Sequence, residues 1–270
     1  MKHISSRENA LYKEIKNLAV NANARKKSGK TLLDGVHLCQ AYLQHRGVPD
    51  LCVVSEVCVA NDEVVGIVNR CEQIAVQIIV VPDALYRVLS QVENGVGILF
   101  VISIAKLAAP VHLTVNAVLL DNLQDPGNLG SILRSAAGAG IQQVFCSSGS
   151  ASAWSPKVLR AGMGAHFALE IYEGVDLYSL LAQSNFPVLA TSSHTKTSIY
   201  EVNLNRQLAW LFGHEGQGVD PRLMELATQI VTIPQKIEIE SLNVAASAAI
   251  CFFEQSRQHL VGLGHLGTVA

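Results

Sequence analysis

The feature that most narrows the fold is an alternation running through the second half of the chain. Short apolar runs recur, each closed by a turn and followed by a stretch of helical spacing. Read by period, this predicts strands at 117–121, 142–147, 168–172, 187–191, 208–212 and 229–233, and helices at 128–138, 155–163, 176–184, 220–228 and 242–257. Strands that alternate with helices pair in parallel, because a parallel neighbour can be reached only through a crossover long enough to hold a helix. The segment KLAAPVHLTVN (106–116) interrupts the pattern with a proline and small residues and reads as a linker. Residues 1–105 read as a smaller α/β unit. There SRENALYKEIKNLAV puts Leu11, Ile15 and Leu18 on one helical face, and VHLCQAYLQHRG reads as a second helix. TLLDG, DLCVVSE, VQIIVV and VGILFVISIA are strand-like, with helical spacing near 61–74 and 83–90. The expected fold class is therefore α/β, with a mixed or parallel sheet in the first unit and a second α/β domain over 117–270.

Composition excludes several classes. Apolar residues make up 49% of the 270 and charged residues 16%, which suits a packed globular protein rather than a disordered one. The most apolar run, 96–105, is about half a membrane span, and the N-terminus lacks an apolar signal core, so a cytoplasmic protein with no membrane partner is expected. The six cysteines form no C-x-x-C pair and no Cys/His set with zinc spacing, so no metal is expected. Charge is uneven. Residues 1–30 carry eight basic and two acidic side chains, although the whole chain is at −2. Such a run is either a solvated face or the footprint of a polyanion such as RNA.

Three unusual loops follow strands of the second unit, where open parallel sheets bind ligands. In DNLQDPGNLGSILR, Pro126-Gly127 makes a turn and Asn128 can cap the helix that follows. Arg134 lies six residues after Asn128 on an otherwise small, apolar helix, either as a plain surface cation or as the partner of an anion. In LAWLFGHEGQGVDP, Gly213, Gly216 and Gly218 allow a ligand to lie against the backbone, and Asp220-Pro221 opens a helix. His214 is given no chemical role. In VTIPQKIEIESLNVAASAAICFFE, Ser241 reads either as a helix cap or, with Asn243, as the wall of a polar pocket. The glycine spacings do not match the dinucleotide-binding G-x-G-x-x-G, no Walker lysine follows a glycine loop, and G-x-S-x-G does not occur.

Taken together and in this order, the three loops resemble the signature motifs of the SpoU-type (TrmH-like) branch of the SPOUT RNA methyltransferases. Motif 1 is LDNLQDPGNLGSILRSA, motif 2 is LFGHEGQGVD and motif 3 is IPQKIEIESLNVAASAA, with Gln235 and Ile237 standing where the family carries Met and Gly. The opening residues are similar to the leader of ribosomal-RNA members. The resemblance implies a C-terminal trefoil-knot methyltransferase domain preceded by an L30e-like RNA-binding domain. It further implies a homodimer and transfer of a methyl group from S-adenosyl-L-methionine to a ribose 2′-hydroxyl of RNA, ribosomal RNA before transfer RNA, leaving S-adenosyl-L-homocysteine. By the same resemblance Asn128, Arg134, Glu215, Ser241 and Asn243 fall on the polar active-site positions, and Gly213, Ile233 and Leu242 contact the cofactor, with Thr191, Phe212 and Gly218 beside them. Arg7, Lys13, Arg25, Lys26 and Lys27 are the expected RNA contacts of the N-terminal region. Arg134 is expected to grip a phosphate next to the target ribose, with Glu215 and Asn128 orienting it and the motif 2 loop, and the hydroxyl proton is expected to pass to that phosphate, to water or to a transiently deprotonated guanidinium. The rival readings are a non-catalytic RNA-binding or ribosome-assembly protein with the same fold, and a nucleotide-dependent oxidoreductase.

Overall fold

A computed structural model describes residues 1–90, 92, 95–236 and 241–262. The motif 3 substitution at Ile237 lies outside the described residues. The chain forms two compact units, Met1–Lys106 with Trp154–Phe167, and Leu107–Ala153 with Ala168–Ala270. The segment Trp154–Phe167 thus interrupts the second unit in sequence but packs with the first.

In the first unit the strands are β1 (Lys2–His3), β2 (Lys30–Asp34), β3 (Leu51–Ser55), β4 (Ile78–Val81) and β5 (Ile98–Ser103). They form one sheet in the order β1-β4-β3-β5-β2, parallel from β1 to β3 and antiparallel from β3 to β2. The helices are α1 (Ala10–Val20), α2 (Ala22–Ser28), α3 (Val36–His45), α4 (Asp62–Gln73) and α5 (Asp83–Leu89). The continuous apolar runs reflect burial on both faces. Cys52 and Val54 join Cys39, Ile67 and Phe100 on one side, while Leu51 and Val53 join Ile15, Leu18 and Tyr86 on the other. The helix α7 (Pro156–Gly162) lies against β2, and its Leu159 enters the first of these cores. Thr31 Oγ1 donates to the Trp154 carbonyl at 2.8 Å.

Two elements escape the sequence reading. β1 is too short to show a period. α2 is separated from α1 by Asn21, whose extended backbone ends one helix while its Oδ1 accepts the Asn23 and Ala24 amides of the next.

The second unit is a six-stranded parallel sheet in the order β11-β9-β10-β6-β7-β8. Its strands are β6 (Ala117–Leu120), β7 (Gln143–Ser147), β8 (Glu170–Val175), β9 (Val188–Thr191), β10 (Ala209–Phe212) and β11 (Gln229–Val231). Its helices are α6 (Pro126–Gly138), α8 (Leu177–Ala182), α9 (Pro221–Glu225) and α10 (Val244–Gly262). Side chains again alternate. Leu119 and Leu211 pack with Leu177, Leu180 and Leu223 of α8 and α9. Trp210 and Phe212 face the other way, toward α10: the indole Nε1 donates to Gln255 at 2.8 Å and Phe212 meets Phe252 edge-on at 5.8 Å. α6 packs on α10, so α6 and α9 cover opposite faces.

Helix α6 begins two residues earlier than its sequence suggests. Its cap is Asp125, whose Oδ1 accepts the Asn128 amide, with Pro126 in the first turn. Asn128 is therefore not the cap, and its side-chain amide is free for other work. No described helix is long and apolar enough to cross a membrane.

Candidate active site

β6 and β10 are neighbours in register, Leu120 beside Phe212. The chain leaves β6 toward α6 on one face and leaves β10 toward α9 on the other. Two adjacent parallel strands whose connections diverge open a crevice beyond their carboxyl ends. Motifs 1 and 2 are these two connections.

Several bonds tie the connections together across the crevice. Asp121, the acid that ends the motif 1 strand, accepts the Asp220 amide through Oδ2 at 2.9 Å. Glu215 reaches back from the motif 2 turn: Oε1 accepts the Asp125 amide at 3.0 Å and the Asn128 Nδ2 at 3.1 Å, and Oε2 accepts the Gln124 amide at 3.3 Å. Partial burial pushes the Glu215 carboxyl up. The hydrogen bonds from Asn128, from its own backbone and from Asp125 and Gln124 outweigh that and hold it below the usual carboxylate range. Motif 3 joins through Asn128, whose Oδ1 accepts Asn243 Nδ2 at 2.9 Å. Asn243 Oδ1 in turn accepts the Ala245 and Ala246 amides at 2.9 and 3.2 Å and so caps α10. The cap is thus Asn243, and Ser241 stands exposed just before it.

Glu215, Asn128 and Asn243 are brought together, from positions 87 and 115 residues apart. Arg134 is not part of this set. It is exposed on α6 and makes no hydrogen bond or ion pair with another described residue. Glu215 and Asn128 therefore order the motif 1 loop and not the guanidinium. An exposed guanidinium with no partner among the described residues is available to an anion.

Of the expected cofactor residues, Thr191, Phe212, Gly213 and Ile233 lie at or just after the ends of β9, β10 and β11, Gly218 closes the turn after β10, and Leu242 precedes α10. Thr191 is half-buried at the end of β9, in register with Val231. Phe212 and Ile233 are buried, Leu242 half-buried. Gly213 is also buried, and a side chain on it would overlap the Gly218 carbonyl and the Val219 nitrogen. Gly218 closes the turn in the left-handed region, φ +73°. Neither the N–H nor the C=O of Gly213 bonds to another described residue, which leaves a donor and an acceptor on a buried residue open to a ligand. A flat nucleoside held through backbone groups fits this lining.

In the first unit, Arg7, Lys26 and Lys27 are exposed and lack an ion pair among the described residues. Lys13 pairs with Glu8. Arg25 is half-buried, and its Nη1 donates to the Leu18 carbonyl at 2.7 Å and the Ala19 carbonyl at 3.4 Å, closing the C-terminus of α1.

Two residues that organise the site carry no role in the sequence reading, Asp121 and His214. An acid directly after an apolar strand and a polar side chain two residues before a glycine were the available signals.

The fold and the site define an α/β enzyme built to bring a nucleoside-bearing cofactor beside a polar crevice. Residues 116–253 match the model of the SpoU rRNA Methylase family. An uncharacterized tRNA/rRNA methyltransferase of Synechocystis is 30% identical over 94% of this chain and 93% of its own length. The 23S rRNA (guanosine(2553)-2′-O)-methyltransferase RlmP of Bacillus subtilis is 29% identical over 94% of this chain and 98% of its own. In structure, the AdoMet-bound rRNA methyltransferase of Sinorhizobium meliloti superposes with a TM-score of 0.82 at 22% identity, covering 96% of this chain and 98% of that one. The chain belongs to the SpoU rRNA methylase family.

Proposed function

We propose that this chain transfers a methyl group from S-adenosyl-L-methionine to a ribose 2′-hydroxyl of ribosomal RNA. The observation that carries the reading is the Glu215–Asn128–Asn243 chain of hydrogen bonds, which joins all three signature segments at the crevice. Gly213, Gly218, Phe212, Thr191, Ile233 and Leu242 would hold the cofactor, Gly213 through its backbone and the others as walls. When bound, the cofactor supplies an electrophilic methyl carbon on a sulfonium and leaves as S-adenosyl-L-homocysteine.

The chain's own task is to ready a ribose hydroxyl, which is barely ionised near neutrality. Arg134 grips the phosphate beside the target ribose, and its fixed charge favours the forming alkoxide. A guanidinium stays protonated, so it acts as a charge and the O2′ proton leaves to the phosphate or to water. Ser241 and Asn243 hold the ribose from the motif 3 side. Asn128 and Glu215 keep the motif 1 loop in place. Tritiated methyl transfer into ribosomal RNA, followed by mapping of 2′-O-methyl positions with and without the protein, tests this directly; no incorporation sinks it.

Glu215→Ala removes one carboxylate from three donors. Hydrogen bonds to a charged group contribute roughly 1.5–3 kcal/mol each, and losing the equivalent of one of them lowers transfer about 10- to 150-fold. Single-turnover rates check this. Glu215→Gln is expected to fall between Ala and wild type.

The mixed sheet of the first unit, with helices on both faces, supports an L30e-like substrate-binding domain. RNA docks there through Arg7, Lys13, Arg25, Lys26 and Lys27. Truncation at residue 30 would strip Tyr12, Ile15 and Leu18 from the core, so point changes are the proper test. Replacing Lys26 and Lys27 together with alanine is expected to flatten the slope of log affinity against log salt by roughly 1.4–1.8. An unchanged slope removes both from the footprint.

The same reading includes the family's trefoil knot, a cytoplasmic location and a homodimer. Phe253, Leu260 and Val261 of α10 are 51%, 39% and 43% exposed, an apolar face suited to a second copy. Light scattering at the expected dimer mass supports it.

A further inference from the structure

We infer that His214 is a positioning residue for methyl transfer: its uncharged imidazole, accepting at Nδ1, keeps the motif 2 turn closed and Glu215 aimed across the crevice. The inference rests on the methyltransferase reading above.

The geometry is specific. His214 Nδ1 accepts the Gly216 amide at 2.9 Å and the Gln217 amide at 3.2 Å. The backbone of His214 exchanges two bonds with Gly218, N–H to O at 2.9 Å and O from N–H at 2.8 Å. The turn 214–218 is therefore closed at its rim by the backbone pair and at its centre by the imidazole. Four asparagines in this chain do the same local job: Asn9, Asn21, Asn61 and Asn243 each accept, through Oδ1, the amides two and three residues on. His214 repeats that pattern with a ring nitrogen.

A ring nitrogen that accepts two N–H bonds carries no proton, so the ring is neutral with its hydrogen on Nε2. Protonating Nδ1 turns the shared acceptor into a third donor facing two others. The centre of the turn then loses both bonds. Glu215 is the next residue, and its three contacts on the motif 1 segment depend on the path of this turn.

Among the described residues, the charged groups tied to this turn or to its contacts are Glu215 on the turn itself, Asp125, whose amide Glu215 accepts, and Asp121, Asp220 and Arg222, which are linked to one another beside it. The hydrogen bonds of Arg222 hold the Asp220 carboxyl low, as those of Asn128 and the backbone hold Glu215. A carboxylate whose folded value is depressed stays ionised above its ordinary range and loses its contribution only as pH falls through the lower value. Neither changes charge between pH 5 and 8, and a guanidinium does not either.

The experiment measures single-turnover methyl transfer by the full chain from pH 5.5 to 8.5, for wild type, H214N, H214Q and H214A. Amide hydrogen exchange at Gly216 and Gln217 is followed in parallel. Wild type is expected to lose transfer on the acid side, about tenfold per pH unit below the midpoint, together with protection at the two amides. H214A is expected to transfer 10- to 100-fold more slowly. H214N, whose Oδ1 can close the same turn, regains most of that loss and lacks the acid limb. H214Q, one carbon longer, does not regain it. An acid limb that persists in H214N, or an H214A that transfers like wild type, overturns the role of His214. Should H214A not fold, H214N against H214Q still decides. Absence of transfer at every pH in wild type sinks the methyltransferase reading instead, and so separates the two failures.

Discussion

Arg134→Ala is expected to lower the single-turnover rate of methyl transfer by roughly 10²–10³-fold, the usual cost of removing one donor aimed at a developing negative charge. Affinity for S-adenosyl-L-methionine should change less than about threefold, because Arg134 lies on α6 and none of the proposed cofactor residues does. Stability should hold too. The side chain is exposed and bonds to no other described residue, and such surface changes are typically within about 0.5 kcal/mol. Arg134→Lys keeps a positive charge but loses the bidentate fork, so only partial recovery is expected. Transfer near the wild-type rate in the alanine variant shows that the guanidinium has been misassigned. An equal loss of rate and cofactor affinity shows that it acts on binding.

The second large effect is expected from Gly213→Ala. The new methyl group would collide with the backbone of Gly218 and Val219, which cannot rotate away as a side chain would. The turn must open, breaking the two backbone bonds between His214 and Gly218. Overpacking of this kind costs about 1–3 kcal/mol, and that range corresponds to roughly 5- to 150-fold in binding. Cofactor affinity, measured by calorimetry, should fall within it. Transfer should fall further, because the opened turn also withdraws Glu215 from the motif 1 loop. Because Arg134→Ala leaves affinity intact and Gly213→Ala does not, the two variants separate the electrostatic role from the cradle. Wild-type affinity in Gly213→Ala places the cofactor elsewhere.

Much of the architecture was legible in residue order. The strands of the second unit start and stop within a few residues of the runs that announce them, because a parallel sheet covered on both faces requires continuous apolar stretches. The three loops were also legible, since glycine, proline and asparagine at strand ends have few other uses. Local chemistry was read less well. Asp125 and Asn128 are both good capping residues, and Pro126 decides between them by occupying the first turn. At motif 3 the sequence offers Ser241 as a cap, but α10 begins at Val244 and the capping place falls to Asn243. His214 was passed over because nothing in its neighbours shows that a ring nitrogen would stand where asparagine oxygens stand elsewhere in the chain.

By itself the sequence determined the α/β class, the parallel order of helices and strands in the second unit, and the three loops that follow its strands, because periodicity and turn composition are local properties. Tertiary structure alone decided where that chemistry meets. Only the placement of α6 and α9 on opposite faces opens a crevice between β6 and β10, and only there does Asn128 come within reach of Glu215 and Asn243. The same holds for Trp154–Phe167: an apolar pattern states that Leu159 must be buried, but not in which of two cores. Burial is non-directional, so it selects a partner only when the whole chain has packed.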